Sequence, residues 1–165
     1  SGVVDRPPSA PAPAIVPPRV EEPRSRPAMA AMPTVAPSLA GLVVLAADDD
    51  DATRRLLEIT LIQLGRMQGA LFDRGPALLE ELSRREQVDL VVVDAMMPDM
   101  NGLEILHAAV QRGLAPRVRQ FVVLSAATAE ELGWVLPVGL RVGWLRKPFR
   151  PKELLTSLVA LGETT

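Results

Sequence analysis

The chain has 165 residues, a formal net charge of −2, no cysteine and a single histidine, His107. Without cysteine it forms neither disulfides nor thiolate-ligated metal sites, and one histidine argues against a histidine-based metal site or catalytic triad. The small net charge gives no reason to expect a nucleic acid partner. No apolar run approaches the ~18 residues of a membrane span. We therefore expect a cytoplasmic protein without direct membrane insertion.

The first 40 residues differ in composition from the rest of the chain. They hold ten of the 16 prolines, and each proline removes a backbone donor and disfavours helix at the residue before it. Large apolar side chains are sparse there, so burial would not offset the entropy lost on ordering. Residues 1–40 are predicted to be a disordered Pro/Ala-rich linker, with a proline-rich ligand for another domain as the alternative. Residues 41–165 are predicted to form one folded domain.

From residue 41 onward, apolar runs alternate with helical patterns. The predicted strands are residues 42–47, 67–71, 90–93, 121–124 and 142–145. The predicted helices are residues 53–64, 76–85, 103–112 and 151–161, with a short, poor helix between residues 128 and 142, where Pro137 interrupts the pattern. Asp51 is the expected N-cap of the first helix, and Gly65 its C-terminal stop. Five strands alternating with five helices predict an α/β domain with a five-stranded, doubly wound parallel sheet.

Polar residues stand at the carboxyl ends of four predicted strands. They are Asp48 and Asp49, Asp94, Ser125, and Lys147. In a parallel sheet these ends share the edge at which ligands bind. Three carboxylates repel one another unless a cation lies among them, and ligation by oxygen alone favours Mg²⁺. A carboxylate held there can attack phosphorus, while the lysine and the hydroxyl bind the other phosphoryl oxygens.

The same residues resemble the motifs of a known family. Asp48 and Asp49 after an apolar strand are similar to the acidic pair of response-regulator receiver domains, and residues 94–102, DAMMPDMNG, resemble their phosphoacceptor loop. Ser125-Ala126 matches the family's hydroxyl position, and Lys147-Pro148-Phe149 its Lys-Pro-Phe element. The resemblance covers residues 42–162 and implies a flavodoxin/CheY-like fold for the receiver domain.

The resemblance implies a metal-dependent phosphoacceptor. Asp94 is the implied acceptor of a phosphoryl group from a phosphohistidine. The implied Mg²⁺ ligands are Asp48, Asp49, Asp94 and the backbone carbonyl of Met96. The domain is thus not an enzyme as such, although it catalyses its own phosphorylation.

The resemblance also implies a switch. Lys147 bridges to the phosphoryl group, and Ser125 moves toward it and transmits the change. Trp144 stands at the place of the family's switch aromatic, usually Phe or Tyr, and its larger indole leaves the extent of rotation open.

The first predicted helix is apolar nearly all round. At 100° per residue, one face is expected to pack on the sheet: Leu57, Thr60, Leu61 and Leu64. Leu56, Ile59 and Ile62 fall on the far side, where a surface helix normally carries charge. By resemblance, these three residues and Pro148 dock the helical bundle of a histidine kinase dimerisation domain or a histidine phosphotransfer protein. The alternative is that the proline-rich linker folds back over them.

Two other functions compete with this interpretation. Residues 49–53, DDDAT, fit the Asp-x-Asp-x-Thr motif of haloacid-dehalogenase-like phosphatases, with Asp49 and Asp51 as the key carboxylates. The acidic motif that such enzymes carry beyond their lysine is absent here. The second competitor is a non-phosphorylated pseudo-receiver that serves as an interaction module.

The order of segments suggests a context for the domain. A proline-rich segment precedes the predicted domain, and the sequence ends just after the last predicted helix. We expect the C-terminal receiver of a hybrid sensor histidine kinase, with a stand-alone receiver as the alternative. The poor fourth helix weakens a face that receivers often use to dimerise, so we expect an isolated monomer.

Overall fold

The computed structural model describes residues 39–163, and the side chains of residues 39–158. Its five strands form one parallel sheet in the order β2-β1-β3-β4-β5. The strands are β1 (Val43–Ala47), β2 (Gln68–Phe72), β3 (Val88–Asp94), β4 (Val118–Ser125) and β5 (Val142–Arg146). The helices are α1 (Asp51–Leu57, continuing as a π-helix over Glu58–Leu64), α2 (Gly75–Ser83), α3 (Gly102–Gln111), α4 (Ala129–Leu132) and α5 (Pro151–Glu163). This architecture confirms the predicted fold class.

The sheet is covered on both faces, which explains the continuous apolar runs of its central strands. On β3, Val91 and Val93 face one core and Leu90 and Val92 face the other. The first core is completed by buried side chains of α2 and α3: Leu78, Leu79, Leu82, Ile105, Leu106 and Ala109. The second is completed by those of α1 and α5: Leu57, Leu61, Leu154, Leu155 and Leu158.

The register of the strands brings the polar strand ends together. Ala47 pairs with Val93, so Asp48 and Asp94 come next on neighbouring strands. Ser125 pairs with Arg146, so Lys147 follows directly on the adjacent strand. The strand order changes direction between β1 and β3, and ligands of such sheets bind at the carboxyl ends beside this switch point.

The N-cap of α1 lies one residue before the predicted one. Asp50 has extended backbone angles and accepts hydrogen bonds from the Thr53 amide and hydroxyl, both at 2.8 Å, so Asp50 is the N-cap. The prediction of Asp51 as the cap is wrong, because Asp51 is already in the first helical turn. Gly65 ends the helix as predicted, but with φ −80° rather than in a left-handed conformation.

The second half of α1 departs from the predicted helix. The amide of Gly65 donates to the carbonyl of Thr60, five residues back, at 2.8 Å, which is the π-helical pattern. The side chain of Thr60 is fully buried, and its hydroxyl has no hydrogen-bond partner in the part of the chain that the structure describes. A projection at 100° per residue therefore holds for the first half of α1 only.

The fourth helix is short, as predicted. It spans four residues between a capping box formed by Thr128 and Glu131 and a left-handed stop at Gly133, φ +71°. An irregular segment with exposed Val135 and Val138 leads from there to β5.

Most of the predicted linker lies outside the described residues. Of residues 1–40, only Leu39 and Ala40 are described, and Leu39 is buried in the second core. The boundary between linker and domain stays a prediction.

Across residues 39–163, no helix combines the length and the apolar character needed to cross a membrane.

Candidate functional site

Asp48 is the deepest of the acidic side chains at the edge of the sheet. It follows β1 directly and is fully buried. One carboxylate oxygen accepts from the Asp50 amide at 2.9 Å, and the other accepts from Lys147 Nζ at 3.2 Å. Its own amide donates to the carbonyl of Phe72 at 3.1 Å. These contacts fix the Asp48 side chain and backbone in one position.

Asp94 ends β3 and is 6% exposed. Burial, followed by the negative charge of Asp48, raises the pKa of the Asp94 carboxyl above its usual value. Lys147 opposes this by donating to Asp94 Oδ1 at 3.0 Å. The pKa of Lys147 is itself raised: burial alone would lower it, but the hydrogen bond to Asp94 and the charges of Asp48 and Asp94 outweigh burial. The ammonium group of Lys147 is thus shared by the carboxylates of Asp48 and Asp94.

Asp49 completes an acidic cluster with Asp48 and Asp94. One oxygen of each lies within 4.8 Å of the others. Asp49 is exposed, whereas the other two are buried. Because Lys147 supplies only one positive charge to three carboxylates, the cluster retains the donor set and the charge that suit a hard divalent cation such as Mg²⁺. The residues present therefore fit the predicted ion.

Ser125 and Trp144 are linked through a single residue. The buried Ser125 hydroxyl oxygen accepts from the Ala127 amide at 3.0 Å, and the Ala127 carbonyl accepts from Trp144 Nε1 at 2.8 Å. Trp144 also packs edge-to-face on Trp134, with ring centroids 5.7 Å apart. A rotation of the half-buried indole has to break the bond to Ala127, so this structure adds a restraint that the sequence did not reveal.

The residues two positions beyond Asp94 and two positions beyond Ser125 are both apolar. Met96, two residues beyond Asp94, is 61% exposed, and its amide lies 3.4 Å from Asp94 Oδ1. Ala127 occupies the position two residues beyond Ser125. Neither side chain has a hydrogen-bond donor, and the thioether sulfur of Met96 is only a weak acceptor. The Met96 carbonyl stays a predicted metal ligand.

Three of the four predicted docking residues line two separate grooves, and Ile59 lines neither. Leu56 and Pro148 line a groove of about 280 Å³ that also contains Thr53, Ala126, Lys147 and Phe149. Ile62 lines a larger groove between α1 and the edge strand β2, and it also packs against the second core. Leu56, Ile59 and Ile62 are half-buried rather than exposed. Their docking role stays a prediction; Leu56 and Pro148 share their groove with Lys147.

Sequence reasoning missed Arg54. Its Nη1 donates to the backbone carbonyl of Asp48 at 2.9 Å, and its Nη2 pairs with the carboxylate of Asp51. The spacing of Asp51 and Arg54 by three residues could have predicted the ion pair. Nothing in a one-dimensional pattern indicates the contact with the Asp48 backbone.

Comparisons with known proteins agree with this geometry. Residues 44–159 match the family model described as response regulator receiver domain. Transcriptional regulatory protein GltR of Pseudomonas aeruginosa is 31% identical over 127 residues, covering 73% of this chain and 49% of GltR. Sensory/regulatory protein RpfC of Xanthomonas campestris pv. campestris is 34% identical over 124 residues, covering 74% of this chain and 17% of RpfC. The chain thus spans less than half the length of either relative.

A solved structure extends the comparison to three dimensions. Chemotaxis response regulator CheY4 of Vibrio cholerae superimposes with a TM-score of 0.62 at 27% identity. The match covers 74% of this chain and 99% of CheY4. The domain described above is therefore similar to the whole of CheY4 rather than to part of it.

Proposed function

This chain belongs to the response regulator receiver family, and on that premise we propose that it accepts a phosphoryl group on Asp94 in a two-component phosphorelay. The observation that carries the proposal is the environment of Asp94. Its carboxylate lies at a strand end, is bonded to Lys147 and shares the acidic cluster with Asp48 and Asp49. A buried carboxylate beside a lysine and a cation site suits attack on phosphorus.

Asp48, Asp49, Asp94 and the carbonyl of Met96 are the proposed ligands of Mg²⁺. When bound, the ion offsets the charge of the carboxylates and of the phosphoryl oxygens. Two of the three carboxylates, those of Asp48 and Asp94, are held by contacts that the chain itself makes.

The transfer itself needs no external base. A carboxylate oxygen of Asp94 forms a bond to phosphorus while the bond between phosphorus and the donor histidine nitrogen breaks, and the nitrogen keeps the electron pair. Lys147 Nζ, 3.0 Å from Asp94 Oδ1, is placed to neutralise the phosphoryl charge that gathers there.

Ser125 is the proposed reporter of the phosphorylated state. In the structure its hydroxyl oxygen accepts from the Ala127 amide. We propose that the side chain turns away from that amide when it donates to a phosphoryl oxygen. The carbonyl of the same residue, Ala127, accepts the hydrogen bond from Trp144. We therefore propose that movement of Ser125 alters the restraint on the indole.

A histidine-containing helical bundle is the proposed partner. The groove lined by Leu56, Pro148 and Phe149 is mainly apolar and includes Lys147. A bundle seated there brings its phosphohistidine to the site. We propose that the partner is a histidine kinase dimerisation domain or a histidine phosphotransfer protein in the cytoplasm.

We further propose that the domain belongs to a hybrid sensor kinase. The similarity to RpfC supports this, because that relative is named a sensory/regulatory protein and the match covers 17% of it. A receiver of this kind therefore occurs within a much longer sensory protein.

The competing functions fit the site less well. A haloacid-dehalogenase-like phosphatase needs Asp49 and Asp51 together, but Asp51 is exposed on α1 and paired with Arg54. The grouped carboxylates are those of Asp48, Asp49 and Asp94. A pseudo-receiver has no need for a complete set of phosphoryl-binding side chains.

Labelling with acetyl phosphate tests the proposal. The wild-type chain should gain one base-labile phosphoryl group in the presence of Mg²⁺, detected by intact mass, and chelation should abolish the gain. Asp94→Asn should remove labelling, whereas Asp99→Asn, an exposed residue of the same loop, should retain it. Full labelling of Asp94→Asn would reject the assignment.

A further inference from the structure

Arg54 contacts the backbone between two of the proposed metal ligands. We propose that Arg54 is a positioning residue for Mg²⁺ binding, which holds the peptide unit between Asp48 and Asp49 so that both carboxylates are in place before the ion arrives. The inference rests on the proposed function and assigns a role to a residue outside the receiver motifs described above.

The first support is the planarity of the peptide group. Arg54 Nη1 donates to the Asp48 carbonyl at 2.9 Å. The carbonyl of Asp48 and the amide of Asp49 belong to one rigid plane, so a bond to the oxygen also sets the direction in which the chain enters Asp49. One hydrogen bond thereby constrains the backbone of two ligand residues.

The second support is that Asp49 has little else to orient it. Asp48 is fixed by Phe72, Asp50 and Lys147. In contrast, the exposed Asp49 side chain makes no hydrogen bond within residues 39–158. Its position depends on the peptide plane that Arg54 holds.

The third support is that Arg54 is itself held at both ends. Its Nη2 pairs with the Asp51 carboxylate, and its amide donates to the Asp50 carbonyl at 2.9 Å. The guanidinium reaches two acceptors at once through a planar fork. A lysine ammonium keeps the positive charge but lacks this fork, so it does not hold the two acceptors in the same relative orientation.

Charge and position have opposite effects on Mg²⁺ binding. The positive charge of Arg54 repels an incoming cation, so its removal should tighten binding if charge alone matters. If position matters more, removal should weaken binding, because the ligands lose their preset arrangement. Arg54→Lys separates the two effects, since it keeps the charge and loses the fork.

Mg²⁺ titration of the full 165-residue chain by calorimetry tests this. Arg54→Lys and Arg54→Ala should both weaken Mg²⁺ binding, by about 10-fold, the lower end for residues that support metal ligands. Arg55→Ala is the matched control, because Arg55 is its exposed neighbour and, among the side chains of residues 39–158, forms an ion pair with Glu58 alone. Its Mg²⁺ affinity should equal that of the wild type.

A second measurement distinguishes positioning from general damage. In acetyl phosphate labelling, Arg54→Lys should raise the Mg²⁺ concentration for half-maximal rate while the rate at saturating Mg²⁺ stays near the wild-type value. Loss of folded protein would lower the saturating rate instead. In metal-free protein, the Asp49 amide resonance should shift in Arg54→Lys and not in Arg55→Ala.

The outcomes separate this inference from the proposed function. A wild-type chain that takes up no label overturns the proposed function. If the wild type is labelled and Arg54→Lys has the same dependence of labelling rate on Mg²⁺ concentration, only the role of Arg54 is overturned. Tighter Mg²⁺ binding by Arg54→Ala, or an unchanged Asp49 resonance in Arg54→Lys, overturns that role as well.

Discussion

Asp94 must carry a negative charge in surroundings that disfavour it. Burial and the neighbouring Asp48 raise the pKa of its carboxyl from the usual value of 3.8. An acid whose pKa is higher in the folded state binds more protons there than in the unfolded chain, so it lowers stability as the pH rises through that pKa. At neutral pH without metal, ionised Asp94 therefore costs stability that the fold must offset elsewhere.

We predict that Asp94→Asn raises the melting temperature of the metal-free chain at neutral pH, by about 2–5 °C. The amide removes the buried charge while keeping a similar shape. The gain should shrink toward pH 4, where the wild-type carboxyl is increasingly protonated. Thermal melts in chelator at several pH values would measure this, with the exposed Asp99→Asn as the control. A neutral-pH melting temperature at or below that of the wild type would contradict the prediction.

On the proposed function, the residues two positions beyond Asp94 and Ser125 bear on how long a phosphoryl group stays on Asp94. Neither Met96 nor Ala127 can orient an attacking water by a side-chain hydrogen bond. We predict slow hydrolysis of the isolated phosphorylated domain, so that return to a histidine competes with loss to water. Met96→Asn should shorten the lifetime, by up to about 10²-fold, the lower end of what a positioned polar group contributes. The measurement is the decay of the phosphorylated form, followed by intact mass. A lifetime of seconds that Met96→Asn leaves unaltered would contradict the prediction.

Among the elements, α1 contributes to both the site and the proposed docking groove. Its first turn carries the Asp50 cap and Arg54, and Leu56 lines the groove next to Lys147. Its π-helical half turns away from the α-helical pattern and places Ile62 beside β2. The two halves of α1 therefore face different neighbours.

We predict that Leu56→Glu weakens phosphoryl transfer from a histidine donor by 10-fold or more, because a charge in a buried apolar contact of a complex costs at least about 1.4 kcal/mol. Labelling by acetyl phosphate, which needs no docking, should fall much less. Val110→Glu, on the exposed side of α3, is the control. Equal transfer rates in the two variants would remove Leu56 from the docking surface.

Elements with strong periodicity were predicted well from the sequence. The continuous apolar runs predicted β1, β3 and β4, because a strand buried on both faces needs apolar side chains throughout. The edge strands β2 and β5 were predicted from weaker patterns. The proximity of Asp48, Asp49, Asp94 and Lys147 was also predictable, because parallel strands end at one edge. Their roles, and that of Ser125, stay predictions. The family was inferred from the motifs taken together, because no single spacing identifies it.

Features that depend on contacts between distant residues escaped prediction. The π-helical half of α1 arises where the chain turns from Thr60 to Gly65 and enters β2. The bond of Trp144 to Ala127 joins residues 17 positions apart. Both depend on packing that helical or strand periodicity does not encode. The Asp50 cap was missed for a simpler reason, since four consecutive aspartates each satisfy the cap preference.

At the scale of the whole molecule, the surface around α4 bears on self-association. The helix has four residues and is followed by the exposed Val135 and Val138 rather than by a regular face. We predict that the 165-residue chain sediments as a monomer with and without acetyl phosphate. Sedimentation velocity over a range of concentrations measures this. A dimer that forms on phosphorylation and is abolished by Val138→Ser would show that this surface does associate.

The tryptophan pair gives the molecule an optical signature of its own state. The chain has two tryptophans and no tyrosine, so Trp134 and Trp144 account for nearly all of its near-ultraviolet emission. Their rings lie edge-to-face at 5.7 Å, close enough for their transitions to couple. Trp144 is also tied through Ala127 to Ser125. Any movement of that hydroxyl that disturbs the indole will therefore alter the fluorescence and the near-ultraviolet circular dichroism. On the proposed switch, we expect phosphorylation to be observable in real time without an attached dye.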